Sequence, residues 1–411
     1  MSKTIWLVNQ YASTPEYGYA GRLYYLGKEL SQRGYNVYLI TSANHHLLRE
    51  KPVIRSKYWV EKQSDSFNVV WCKMPAYNGA HSRVRVLGWF LFAITVRLLL
   101  SKLRHSPDVV LCSSPSLVSF LGARSVAMKA RAKLILDVRD IWPLTLTQVG
   151  GFSTRNLFIR FLQKIEDSAY QRSDWVISNL QGAVSHMKMR GMDEKKFIWI
   201  ANGISVPEVA NPLPLDINIA NKIPKDKFVI GYTGTVGTAN AMDSLIVAAE
   251  LLKNFSDIAF VIIGNGKELE SLKSLALEKG LSNIIFAGSI PKCQVQSALA
   301  HFDVCFIGWR DEPLYRFGIG ANKIPEYLYS GTPILHAYSG QSDPVQNALA
   351  GITVAAGDPE AIAQAVLQFK NMCERERLSM GSNGREYALK FYDYSTLAGI
   401  LERKTLGDIG R

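Results

Sequence analysis

What this chain lacks narrows its class before any motif is weighed. A membrane-spanning helix needs about 20 apolar residues, and the apolar run at 86–100 is shorter and interrupted by Arg97. There is no low-complexity tract, and with 47% hydrophobic and 20% charged residues the composition is that of a folded globular protein, which sets disorder aside. Cysteine is scarce: Cys72, Cys112, Cys293, Cys305 and Cys373 are odd in number and far apart, without the close pairs of a zinc site or redox motif. They read as buried thiols of a reducing cytoplasm. No Gly-Lys-Ser/Thr phosphate loop is present, and no full G-x-G-x-x-G with an acidic residue about 20 positions on, which argues against a dinucleotide-dependent dehydrogenase. The basic residues carry no recognised nucleic-acid motif or aromatic platform, so no nucleic-acid partner is expected.

Acidic residues are also short in one half. Residues 1–205 hold 28 Lys and Arg against 13 Asp and Glu, whereas the remainder holds 19 against 22, within a net charge of +12. The halves therefore face different partners. A basic half suits an anionic membrane or a phosphorylated substrate; general solubility charge is the plainer alternative.

What is present is a repeated rhythm: a short β-branched run, a turn with glycine or a small polar residue, then an amphipathic helical stretch. Strands are predicted at 4–8, 37–41, 69–73, 109–113, 133–138 and 175–178, then at 228–233, 259–263, 284–287, 304–307, 333–336 and 351–354. The short apolar run at 5–8 is too brief for a signal-peptide core and reads as the first strand. At 411 residues one hydrophobic core has stopped growing, so two doubly wound α/β domains follow. They are expected at 1–205 and 206–390, with a C-terminal helix in 391–411 packing back towards the first. The four prolines of 202–227 read as a linker, and ligands are expected in a cleft between the domains.

In open parallel sheets the chemistry collects in loops beyond the carboxyl ends of the strands. The first such loop carries Gly18 and Gly21 ahead of a helix expected over 20–33, whose N-terminal amides suit a phosphate. A second, "TGTVGTANAMDSL", brackets small residues with Gly234 and Gly237, and Gly264 and Gly266 repeat the theme. Residues 82–106 belong to neither sheet by pattern. Their apolar run is flanked by Arg83, Arg85, Lys102 and Arg104, which fits a helix lying in a membrane interface, a helix buried in the first domain, or one helix with a face for each.

Two constellations carry charge to the strand ends. In "YRFGIGANKIPEYLYSG" Gly318 and Gly320 precede a helix expected from Asn322, with Pro325 in its first turn, and Lys323 and Glu326 three apart on one face. A phosphate suits Lys323 and the free amides, and a diol suits Glu326, which together describe a nucleotide; an ordinary intrahelical ion pair is the alternative. In "LDVRDIWPLTLTQVG" the strand ends at Val138 among Asp137, Arg139 and Asp140, charges that are costly there unless paired or used. They either touch reacting groups or form an Arg–Asp pair that shapes the loop.

The order of these pieces, from "STPEYGYAGRLYYLGKELSQRGYNVYLIT" through "LDVRDIWP", "GYTGTVGTANAMDSL", "VIIGNGKELESL" and "PLYRFGIGANKIPEYLYSGTPIL" to "MGSNGREYALKFYDYSTLAGIL", resembles the family 4 glycosyltransferases over nearly the whole chain. That resemblance implies the GT-B fold of two facing Rossmann-like domains. It implies retaining transfer of a hexose or N-acetylhexosamine-type sugar from a nucleotide diphosphate donor, with UDP expected. The implied acceptor is a polyprenyl-diphosphate-linked saccharide or related glycan of a bacterial surface polysaccharide, O-antigen or capsule. By the resemblance, Gly18, Gly21, Gly234, Gly237, Gly320, Asn322, Lys323 and Glu326 line the donor, Glu326 as the ribose-holding carboxylate of the E-x7-E motif. Catalysis falls to Asp140, Arg139 and Lys323. The chain departs from the family at Gly318, where the first Glu is missing, and at 234–245, which hold no Lys or Arg. Lys323, seconded by Arg316, is the replacement expected for neutralising the diphosphate. With no D-x-D pair in the chain, no metal and no cofactor are expected. The expected place is the cytoplasm, with 82–106 held on the anionic inner face of the membrane. A nucleotide-sugar epimerase or hydrolase, or a binding protein without turnover, are the alternative readings.

Overall fold

The computed structural model describes residues 2–62, 67–77 and 82–407. Two compact units emerge, the first formed by residues 1–201 and 394–411 and the second by 202–393. Residues 408–411 of the expected C-terminal segment lie outside the described residues.

Runs of Val, Ile and Leu with no polar alternation suit strands buried on both faces, and each unit has a parallel sheet of this kind. In the first the strands are β1 (Thr4–Val8), β2 (Asn36–Ser42), β3 (Tyr58–Lys62), β4 (Asn68–Cys72), β5 (Val109–Ser113), β6 (Lys133–Val138), β7 (Trp175–Ser178) and β8 (Phe197–Trp199). Their order is β3-β4-β2-β1-β5-β6-β7-β8 among the described residues. All pair in parallel except β3, which runs antiparallel to β4 at the edge. The chain reverses its winding at β1, so the loops after β1 and β5 diverge there and open the crevice in which doubly wound sheets bind ligands. The terminal helix Tyr394–Leu401 packs on the helix Arg22–Gln32, Tyr394 stacking on Tyr25 at 4.8 Å.

In the second unit the strands are β9 (Phe228–Thr233), β10 (Ile258–Ile263), β11 (Ile284–Gly288), β12 (Val304–Gly308), β13 (Ile334–Ala337) and β14 (Gly351–Val354). The order β11-β10-β9-β12-β13-β14 again reverses at its first strand. A core of Tyr232, Phe260, Phe306, Leu335, Val366 and Phe369 fills one side of this sheet. The helix Lys323–Ser330 is pressed against the helix Glu374–Phe391 where Gly331 and Gly381 meet, so closely that a β-carbon on Gly381 would strike Gly331 O. Gly331, at φ +80°, also ends the first of these helices.

Two expectations change. The 202–227 segment is not a free linker: it contains the short helices Val206–Val209 and Ile217–Ala220, buries Ile223, and is tied to the second unit by Leu213 N–H to Cys293 O and Lys222 Nζ to Ala287 O. Only Cys72, Cys112 and Cys305 are buried, their thiols pushed up by burial, while Cys293 and Cys373 are exposed. The helix of 82–106 spans Arg83–Leu99, and no described helix is long and apolar enough to cross a membrane.

Candidate active site

In the second unit the loops after β9 and β12 and the start of the helix Lys323–Ser330 converge on one amine. Lys323 Nζ donates to Tyr232 Oη at 2.9 Å and to Asn240 Oδ1 at 2.5 Å, and lies 4.4 Å from the Tyr232 ring centre and 5.7 Å from that of Trp309. Those partners are neutral, and burial pushes the lysine down to about 7 from its usual 10.5. The cradle is itself pinned. Thr235 O accepts from Tyr232 Oη and Asn240 Nδ2, and Tyr327 Oη, from the same helix as Lys323, both receives the Thr233 amide and donates to the Thr233 carbonyl. Gly234, at φ +144°, leaves the amine open on its side, since a β-carbon there would come within 3.5 Å of Nζ. Gly237 faces nearly open space. Gly264 and Gly266 serve differently from the anion-approach theme expected of them: β-carbons there would strike Gly234 O and Val236 O, so their bareness lets the two loops lie together. Gly320 O accepts from Asn202 Nδ2 at 2.5 Å, and Asn322 is the N-cap residue, its side chain making no capping bond.

Lys323 and Glu326 do not pair. The lysine turns to the β9 loop, while the Glu326 carboxylate meets Lys292 Nζ at 3.3 Å. Arg316, the second candidate cation, is exposed and lies over the Phe317 ring at 4.7 Å. A cation unseen in the sequence takes a nearer place: Arg310 donates to Thr238 O at 3.0 Å and to Asp243 at 2.9 Å, gripping the loop that has no Lys or Arg of its own.

In the first unit the expected Arg139–Asp137 or Arg139–Asp140 pair is absent from the described ion pairs. Asp137 is held by Arg22 at 3.1 Å with both side chains buried, by Ser113 Oγ at 2.8 Å, and Arg22 also donates to Ile200 O. Asp140 shapes its own loop, its oxygens accepting from Thr145 Oγ1 at 2.6 Å and Trp142 Nε1 at 3.0 Å. Trp142 then stands edge-on to Trp89, which donates to Tyr11 Oη at 2.6 Å. Arg139 is the group left uncommitted: its amide is fixed to Ser114 Oγ at 2.9 Å, and its buried Nε has no hydrogen-bond partner among the described residues. Of the two glycines, Gly18 packs against Ser13 and Leu47, whereas Gly21, the N-cap of the helix Arg22–Gln32, has nothing within 4 Å of its β position.

Each half of the chain has a known counterpart in sequence. Residues 18–203 match the Glycosyl transferase 4-like domain, and residues 216–387 match Glycosyl transferases group 1. This chain belongs to the family 4 type of glycosyltransferases. It is 25% identical over 309 residues to the Pseudomonas aeruginosa protein described as glycosyltransferase WbjE, covering 74% of each chain. With the Escherichia coli protein WcaI, described as a colanic acid biosynthesis glycosyl transferase, it shares 22% over 235 residues, 56% of this chain and 58% of the other. The crystal structure of Anabaena HepE in complex with UDP and glucose superposes with a TM-score of 0.65 at 16% identity, covering 98% of this chain and 99% of that one, a likeness of fold.

A glycosyltransferase must stabilise charge on a departing group, and preorganised donors in a dry site do this with least reorganisation. The Lys323 amine is positioned by neutral partners and partly withdrawn from water, with no anionic partner among the described residues. The sequence singles Lys323 out because glycine, Asn-Lys and a helix start coincide. It does not single out Asn202, Arg310 and Trp309, which reach the site only through tertiary packing.

Proposed function

We propose that this glycosyltransferase moves a hexose or N-acetylhexosamine-type sugar from UDP, with retention, to a polyprenyl-diphosphate-linked saccharide in bacterial surface-polysaccharide assembly. The observation that carries the reading is the Lys323 cradle, a half-buried cation open towards Gly234 at the carboxyl end of β9. A diphosphate placed there restores the charge balance that burial denies the lysine. Glu326 is assigned the ribose diol, whose hydroxyls would share its carboxylate with Lys292 or displace that lysine. UDP is favoured as the leaving group because HepE, of like fold, is described with UDP and glucose; WbjE and WcaI support the polysaccharide setting.

In the mechanism the acceptor hydroxyl attacks the anomeric carbon on the face from which UDP leaves. The C–O bond to the diphosphate breaks, its electron pair stays with UDP, and the hydroxyl proton passes to the departing oxygen. Lys323 and the free amides at the start of its helix stabilise the developing charge, so no metal is needed. Arg139 is the first unit's candidate to meet an acceptor phosphate, and Asp140 acts through the loop it holds.

The acceptor's lipid gives the helix Arg83–Leu99 a task. Trp89, Phe92, Ala93, Val96 and Leu99 are buried, yet Val84, Leu87, Ile94 and Leu98 repeat on the opposite, exposed face. Phe90 joins this face to Phe161 of the helix Leu157–Arg172 at 6.0 Å, and exposed Arg97, Lys102 and Arg104 follow it. An apolar stripe with cations at its end suits an anionic membrane surface.

The test is mass spectrometry of a lipid-linked acceptor incubated with a panel of nucleotide sugars and the chelator EDTA. One added sugar and released UDP are expected. Equal sugar loss or isomerisation from donor alone would replace the reading with a hydrolase or epimerase, and activity that returns only with manganese would overturn its metal independence.

A further inference from the structure

Behind the Lys323 cradle lies a buried polar chain that transfer chemistry does not touch. Trp309 Nε1 donates to His336 Nε2 at 2.9 Å, and His336 Nδ1 meets Asp343 Oδ1 at 2.9 Å. An indole nitrogen can only donate. His336 Nε2 therefore accepts, which places the imidazole proton on Nδ1, facing the carboxylate. Asp343 is satisfied in turn by the Val345 amide at 2.8 Å and by Thr353 Oγ1. Burial raises the Asp343 carboxyl, but the His336, Thr353 and Val345 donors outweigh it and hold the group below the usual aspartate value. The His336 ring is further clamped by stacking on Tyr338 at 5.0 Å, and Tyr338 Oη donates to Tyr315 O at 2.8 Å. His336 is fully buried, and Asp343, Trp309 and Tyr338 nearly so.

Such a network is costly to bury, and apolar residues would fill the same space with less risk. Its location suggests what it is for. Trp309 follows β12 and His336 lies in β13, both at the carboxyl edge where this sheet binds ligands. The last member presents its ring to the site's amine, 5.7 Å from Lys323 Nζ, while the Tyr232 ring lies 4.4 Å from the same atom.

We infer that His336, fixed by Asp343, is a positioning residue that locks the Trp309 indole as a wall of the Lys323 cradle, closing that side of the amine to water and leaving the Gly234 side for a donor diphosphate. The consequence for transfer rests on the function proposed above; the positioning itself does not. Released from His336, the indole would swing and admit water, and the lysine would titrate closer to a free amine than its present value of about 7.

The test is competitive labelling of Lys323 with an amine reagent across pH, read by mass spectrometry on the full chain, for the native protein, His336→Asn and Trp309→Phe. Trp309→Phe keeps an aromatic ring and most of the volume, so it remains informative if His336→Asn folds poorly. The Lys323 titration is expected to rise by about one unit or more in each variant, a shift that loss of stability alone would not produce in the folded fraction. Donor kcat is expected to fall about ten-fold with KM changed less, as for an interaction expressed in the transition state. An unchanged Lys323 titration in both variants overturns the inference. A shifted titration with native transfer rates upholds the positioning and removes Lys323 from the proposed chemistry.

Discussion

Lys323 Nζ lies 2.9 Å from the Tyr232 phenol, whose own proton is directed to Thr235 O. The amine is thus held by groups that can position a cation and cannot neutralise it. Between about 7, where burial sets the folded lysine, and its usual 10.5, the folded state binds fewer protons than the unfolded chain. Stability of the free protein should therefore rise with pH through that window, and Lys323→Met should flatten the rise in urea-denaturation series. UDP favours the charged amine, so binding above about pH 7 should take up a proton, and affinity should fall as pH rises. Calorimetry in two buffers of different ionisation enthalpy measures this; no uptake by the native protein above that pH contradicts the site.

The glycine loops of the second unit separate packing from ligand approach. Gly264→Ala drives a β-carbon into Gly234 O, backbone against backbone, and should destabilise the protein by about 2 kcal/mol while weakening UDP binding. Gly237→Ala meets open space and should leave the urea midpoint nearly unchanged. The reverse order of stabilities would show that the loops do not meet as described.

Arg22 and Asp137 form a pair with both side chains buried. Removing one partner strands the other charge, so Arg22→Met or Asp137→Asn should each cost about 3–5 kcal/mol. The double variant should lose less than the sum of the two single losses, which a double-mutant cycle reads directly.

The exposed stripe on the helix Arg83–Leu99 predicts vesicle binding. Leu87→Glu with Ile94→Glu alters only exposed positions, so folding should be kept while flotation with anionic vesicles is lost. Native flotation that neither salt nor this double change reduces would dismiss a membrane role for the helix.

Much of the architecture was legible because buried parallel strands are continuous apolar runs: β1, β5, β6, β7, β9 and β14 lie at their expected residues. The antiparallel edge strand β3 was not, since "YWVEK" has neither a continuous apolar run nor a turn signal to a partner, and β8 is only three residues long. At the site, Lys323 was legible from the glycines and helix start around it. Its separation from Glu326 was not, because spacing along a helix says which residues can meet and not which tertiary partners compete for them. Lys292, Tyr232 and Asn240 won that competition. Asp140 was likewise read correctly as a charge at a strand end, but its task depends on Thr145 and Trp142, local residues whose turn no period reveals.

The most direct test of the account is single-turnover transfer at saturating UDP-sugar by the native enzyme, Lys323→Met and Glu326→Ala. Loss of a preorganised donor to the departing group should slow the Lys323→Met chemical step by about 10²–10³ while donor affinity changes far less. Glu326→Ala should instead raise the donor dissociation constant and leave the step near native. A Lys323→Met enzyme that transfers at the native rate would contradict the assignment of this lysine to the donor diphosphate.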